Sequence, residues 1–216
     1  AVETAHQAMI VPLVLAGAGA TLLPKSMADL AMPEWKGRWS ASPSGADFQA
    51  IVSAYLQLKG EQATKDWLKA MKDNAKEYKG NGAAMKAVNA GEVDTALIYH
   101  YYFYGDQAKT GENSGNVGTH YFKNQDPGAF VSISGGGVLK SSKKQEQAFE
   151  FARQLLTPET QEFFATEVGE YPVIEGVQLN VAGIPPLSEL QPPKINLDDL
   201  SDVQGTEKLL TEVGAI

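Results

Sequence analysis

Between residues 98 and 105 the chain reads IYHYYFYG, with four tyrosines in six positions around one histidine. Tyr99, Tyr101, Tyr102 and Tyr104 make a poor filling for a core, because each buried phenol hydroxyl needs a hydrogen-bond partner. They can instead form a stacking surface, or supply phenolic oxygen to a metal. Phenolate is a hard, anionic donor that suits Fe(III) in a way neutral imidazole does not. A phenol ionises near pH 10, so the metal must displace the proton and binding weakens as pH falls. The cluster follows the strand-like TALI, at the C-terminal end where open α/β sheets place their ligands. In a regular strand Tyr101 and Tyr102 point to opposite faces. They converge on one ion only if the chain leaves strand geometry there, as a strand-to-helix turn allows. A half-exposed aromatic patch is the alternative reading. His100 reads as a hydrogen-bonding neighbour rather than a ligand, and His6 and His120 lack metal-ligand spacing.

The second stretch with chemical capacity is SPSGADF, residues 42 to 48. A strand ends, small residues turn the chain, and an amphipathic helix begins at once. The N–H groups of Ser44, Gly45 and Ala46 would lie at that helix start, where unpaired donors and the helix dipole favour an anion. An ordinary serine-capped helix explains the same residues.

The surrounding elements are read from periodicity. Residues 5–17 are expected to be a helix closed by glycine, with a strand over ATLLP. RWSASP gives a short strand, then Phe48, Ile51, Val52, Tyr55 and Leu56 recur at helical spacing up to Gly60. Trp67, Leu68 and Met71 mark the buried side of the next helix. A third helix is expected over GNGAAMKAVNAGE, with Asn81 as its cap. AFVSISGGGVLK reads as a strand entering a glycine-rich turn. Two helices follow, the second capped by Thr157 with Pro158 at its first position. The stretch from Ile184 to Lys194 reads as irregular, and TEKLLTEVG as a last helix. Strands alternating with helices predict α/β layers around a largely parallel sheet.

Bulk composition narrows the function. A net charge of −8 without a basic block argues against nucleic-acid binding. No apolar run is long enough to span a bilayer. Cysteine is absent, which excludes disulfides and thiolate metal sites. No activated nucleophile, acid–base pair, Walker loop or dinucleotide fingerprint is apparent, so an enzyme is not expected.

From about Lys25 onward the chain resembles the C-terminal two-thirds of bacterial ferric-iron-binding proteins, solute receptors of ABC iron importers. The resemblance runs in order through MPEWKGRW, SPSGADFQAIVSAYLQLKGE, WLKAMKDNAKEY, AVNAGEVDTALIYHYYFYGDQA, HYFKNQDPGAFVSISGGGVLKSS and EYPV. It implies an α/β, type II periplasmic-binding-protein-like fold, mainly one complete lobe with a truncated first lobe. It implies that Tyr101 and Tyr102 bind Fe(III), and that Ser44, Gly45, Ala46 and Asn81 hold a synergistic phosphate or carbonate. Tyr99 stands where some members carry an anion-binding asparagine, so Tyr99 and His100 are expected only behind the ligands. The implied partner is an ABC importer permease. The implied location is the periplasm, or the extracellular surface as a lipoprotein, with the signal segment outside this chain. Oligomeric state is left open.

Residues 1–24 do not follow that pattern. ETAHQAMIVPLVLAGAGATLLP resembles a helix–strand unit of LysR-type effector-binding domains, which share the fold class. Two segments are therefore expected, 1–24 LysR-like and 25–216 ferric-binding-protein-like, as in a chimera. The alternative function is an effector-binding domain, or an engineered scaffold, with no metal role.

Overall fold

A computed structural model of the protein describes residues 3–196, 200 and 202–216; side chains of residues 3–7, His6 among them, are outside the described set. Fifteen elements of helix and strand are described. The strands are β1 (Glu3–Ile10), β2 (Pro12–Gly17), β3 (Trp39–Ala41), β4 (Ala75–Glu77), β5 (Thr95–Tyr99), β6 (Val117–His120) and β7 (Ser132–Val138). The helices are α1 (Ala46–Lys59), α2 (Glu61–Asn74), α3 (Asn81–Asn89), α4 (His100–Lys109), α5 (Gln145–Leu155), α6 (Pro158–Phe163), α7 (Leu187–Leu190) and α8 (Val203–Glu212). None of them is long and apolar enough to cross a membrane.

The chain forms two compact units. The smaller comprises residues 1–10 and 131–186, and the larger comprises residues 11–130 and 187–216. This division does not follow a boundary at residue 24, because β2 lies inside the larger unit's sheet.

The helix expected over 5–17 is instead two strands. Pro12 has no N–H to donate and clashes with the preceding helical turn, so a helix cannot run through it. Pro12 is the first residue of β2, a position that tolerates proline. The LysR-like helix–strand unit is thus not what this segment forms. Residues 20–24 form no strand either.

In the larger unit the sheet order is β4-β3-β5-β2-β6. β3 pairs in parallel with β4 and β5, while β2 runs antiparallel to both β5 and β6. The expected parallel sheet is therefore interrupted by one reversed strand. Alternation along β2 and β5 sends Leu13, Leu15, Ala96 and Ile98 to one face, where they pack with Ala84, Met85, Ala87 and Val88 of α3. Beneath the sheet's other helices, Trp67 of α2 stacks on Tyr55 and Phe48 of α1 with ring centroids 5.3 and 6.1 Å apart. Its indole N–H donates to the Met27 carbonyl at 2.9 Å. α8 closes over α1 through a buried Ser53–Thr206 hydroxyl pair at 2.7 Å. The helical spacing of these apolar residues predicts α1 and α2 closely.

In the smaller unit β1 pairs antiparallel with β7, with a bulge between His6 and Ala8. The glycines at 135–137 lie within β7 rather than in a turn, facing Ala5, Thr4 and His6 across the ladder. Thr157 caps α6 by accepting the Thr160 N–H, with Pro158 in the first turn, as the sequence predicts.

A buried aromatic floor underlies the end of β5. Phe130 meets Tyr99 edge-on, with centroids 6.4 Å apart, and Phe122 closes against Gly128. A Cβ at Gly128 would collide with the Phe122 ring, which is 1% exposed and has no room to retreat. Gly128→Ala is expected to cost about 1–3 kcal/mol by overpacking. Urea unfolding should show a lower midpoint with an unchanged slope.

Candidate functional site

Strands β3, β4 and β5 run the same way, and each leads into a helix that begins at the same edge of the sheet: α1, α3 and α4. The Ncap residues Gly45, Gly80 and Tyr99 make no side-chain cap hydrogen bond. Three helix starts thus present backbone donors and the positive ends of their dipoles along one edge.

β5 passes into α4 with no loop. Tyr99 is the last strand residue and the Ncap, with φ −87° and ψ 148°, and His100 is the first helical residue. This is the strand-to-helix turn that lets Tyr101 and Tyr102 converge. Their rings stack with centroids 4.4 Å apart and planes 29° from parallel. Their hydroxyls are in hydrogen-bond contact. Tyr102 packs against the α3-side core, whereas Tyr101 stacks on Tyr99 at 6.4 Å.

The junction is held by His100, which is fully buried. Its backbone N–H donates to the Val11 carbonyl at 3.1 Å, and its Nδ1 accepts the Val11 N–H at 3.2 Å. The imidazole is engaged in positioning the helix. Tyr99 is likewise fully buried between Tyr101 and Phe130, a place for packing rather than for contact with a solvent-borne anion. Tyr104 is buried and accepts the Tyr121 hydroxyl at 3.2 Å.

The anion turn differs from expectation in two of its four residues. Gly45 donates its N–H to the Ser42 carbonyl at 3.0 Å, so that donor is already used within the turn. Asn81 is not a cap: it is the first residue of α3, and its Nδ2 donates to Asp47 Oδ2 at 2.8 Å. The cap position falls to Gly80, whose positive φ of 104° suits glycine. Ser44 and Ala46 are exposed, Ala46 as the first residue of α1.

Two residues escaped the sequence reading. Ser42 accepts the Gly80 N–H at 2.9 Å, tying the starts of α1 and α3 together. Asp47 accepts from both Asn81 and the Tyr101 hydroxyl, the latter at 3.1 Å. An acidic residue in a first helical turn is the ordinary response to the helix dipole, which hid any further role. Asp47 brings the helix start, Asn81 and the tyrosine pair into one cluster.

The electrostatics follow from these contacts. Burial pushes the Tyr101 phenol well above its ordinary range, and the Tyr102 contact and the Asp47 charge push it further. The free protein therefore holds Tyr101 as a neutral phenol, and only a strong Lewis acid can take its proton's place. Chemically, the edge offers paired hard oxygen donors for a cation beside backbone donors for an anion.

These features define a solute-binding protein of the type II periplasmic class. Residues 16–197 match the family of bacterial extracellular solute-binding proteins, and the chain belongs to that family. It is 58% identical over 195 residues to the Fe(3+)-binding periplasmic protein of Serratia marcescens, covering 90% of this chain and 57% of that one. It is 33% identical over 192 residues to the major ferric iron-binding protein of Neisseria meningitidis, covering 89% of this chain and 58% of the relative. The chain thus spans little more than half the length of these relatives. Iron-bound HitA from Pseudomonas aeruginosa superposes with a TM-score of 0.91 at 38% identity, over 98% of this chain and 69% of that one. That superposition includes nearly all of residues 1–24, so the segment takes a place in the ferric-binding-protein fold.

A pH prediction follows from Tyr101. Its raised folded pKa means that above about pH 10 the unfolded chain loses the phenol proton while the folded protein keeps it. The folded state then binds more protons, so metal-free stability should fall as pH rises past that point. Denaturant midpoints measured from neutral to strongly alkaline pH should decline, and Tyr101→Phe should make the decline shallower.

Proposed function

We propose that this chain is the iron-holding part of an Fe(III) receptor serving an ABC importer, located in the periplasm or tethered as a surface lipoprotein. The observation that carries the reading is the Tyr101–Tyr102 pair, stacked at the uncapped start of α4 with hydroxyls in contact. Two phenols held side by side can ionise together only on a strongly charged cation, since two bare phenolates would repel. Fe(III) meets that need, and each phenol releases one proton to solvent as it binds. The names borne by the Serratia and Neisseria relatives support the same solute.

A synergistic phosphate or carbonate would meet the Ser44 and Ala46 end of α1, where N–H groups lie outside the intrahelical ladder. Gly45 and Asn81 reach such an anion only by giving up their present bonds to Ser42 and Asp47. His100 and Tyr99 support the tyrosines from behind. The permease partner rests on family membership, since solute-binding proteins of this kind hand their cargo to an importer. A LysR-type effector role is not carried forward, because the segment that suggested it is paired strand.

Titration with ferric citrate should raise a visible phenolate-to-iron charge-transfer band. Tyr101→Phe and Tyr102→Phe should each remove most of it while leaving circular dichroism unchanged. A folded protein that stays colourless under saturating ferric citrate would refute the assignment.

A further inference from the structure

We infer that Asn81–Gly82 is a site of self-modification, where the Asn81 side-chain amide is lost as ammonia and a carboxylate takes its place beside Asp47. Only the consequence for the tyrosine pair rests on the iron-binding reading; the modification itself does not.

Asn81–Gly82 is the only Asn–Gly step in the chain. An asparagine carboxamide can be attacked by the backbone nitrogen of the next residue, closing a succinimide ring. A side chain on that next residue obstructs the approach, and glycine has none. Nothing lies within 4 Å of the place where a Cβ on Gly82 would stand, so the ring has room to form. Gly82 belongs to the first turn of α3, where an N–H has no acceptor within the helix, and the Ncap Gly80 supplies no capping side chain. The attacking nitrogen is therefore not engaged in the helical ladder.

Two restraints hold the reaction back. A helical backbone keeps the Gly82 nitrogen away from the Asn81 carboxamide, and Asn81 Nδ2 is bonded to Asp47 Oδ2 at 2.8 Å. The first restraint is weak, because an uncapped turn flanked by two glycines opens at little cost. Gly80 is exposed and Gly82 half-buried, so water reaches the opened turn.

The steps balance without any redox partner. Gly82 N gives its proton to hydroxide and bonds to Asn81 Cγ. The Cγ–Nδ2 bond breaks, and the nitrogen leaves as ammonia after taking a proton from water. Water then opens the ring at either carbonyl, giving aspartate or isoaspartate. One water is consumed and one ammonia released.

The product alters the contact that joins α1 to α3. An amide N–H now donates to the Asp47 carboxylate; afterwards two carboxylates face each other there and repel. Asp47, which also accepts the Tyr101 hydroxyl at 3.1 Å, loses the donor that fixes its direction. Isoaspartate further lengthens the main chain, just after the Gly80 N–H that Ser42 holds at 2.9 Å. Either product should loosen the Tyr101 surroundings and weaken iron binding.

The test is prolonged warming of the folded, metal-free protein in mildly alkaline buffer, followed by trypsin. Cleavage after Lys79 and Lys86 releases residues 80–86, whose asparagine, aspartate and isoaspartate forms separate by chromatography and differ in mass. The unaltered chain should convert at Asn81 ahead of its other asparagines, with matching release of ammonia. Gly82→Ala, which has space for its methyl group, should keep the amide. Asn81→Asp carries the new charge from the start and should compete less well with citrate for iron while its circular dichroism stays unchanged.

An intact amide at Asn81, under treatment that converts the free peptide of residues 80–86, would overturn the inference. Equal conversion in Gly82→Ala would overturn it as well, and Asn81→Asp binding iron undiminished would overturn the stated consequence. Conversion is read from the peptide whether or not iron binds. A colourless protein that still converts would remove the iron-binding reading and leave the modification standing.

Discussion

The reciprocal pair of hydrogen bonds between Val11 and His100 fixes the geometry on which the site depends. β2 and β5 run antiparallel up to Pro12 and Tyr99, where proline can donate nothing further to the ladder. The next donor, the Val11 N–H, would face a carbonyl if β5 continued. Because α4 has already begun, it meets the His100 imidazole instead, while the His100 N–H returns to the Val11 carbonyl. The strand is stopped and the helix started within one residue, with no buried polar group of this pair left unsatisfied. An isolated strand-to-helix turn has many orientations. This one is set by a histidine with no exposed surface.

With α4 placed, the two phenols have little freedom. Tyr102 leans on the core shared by α3 and β2, and Tyr101 lies over Tyr99, which itself rests on Phe130. Preorganised donors of this kind lose less conformational entropy on binding than flexible ones. The cost appears as a raised Tyr101 pKa, since burial and a neighbouring carboxylate both oppose ionisation. A phenol held this far from ionisation keeps its proton against water, and only a strongly charged cation could take the proton's place. The uncapped starts of α1 and α3 belong to the same economy, leaving polar groups near the donors that ordinary caps would have engaged.

Much of this was readable from residue order. Apolar spacing located α1 and α2 together with the aromatic residues they bury, and the Thr157–Pro158 pair located the start of α6. The tyrosines stood out because four phenols so close together are unusual, whereas the small-residue turn is a common helix start, noticed for the donors it would present. The N-terminal segment did not yield to the same method. By apolar content alone the run suits a buried helix or a buried strand; Pro12 counts against a continuous helix, and pairing with neighbouring strands fixed the outcome. The GGG triplet likewise reads as a turn until β1 pairs with it across the smaller sheet.

Sequence alone determined the chemistry available: phenolic oxygens at 101 and 102, backbone donors after residue 43, and no thiolate. It also determined that a strand precedes the tyrosines and a helix follows the glycine turn, because those are local properties of propensity and periodicity. Tertiary structure alone decided which groups meet. Asp47, Asn81 and Tyr101 are separated by 34 and 54 positions along the chain from Asp47, yet share one carboxylate oxygen. No local pattern encodes that contact. It exists because parallel strands β3, β4 and β5 deliver three helix starts to one edge of a sheet, and the pairing that aligns them is a long-range choice of the whole fold.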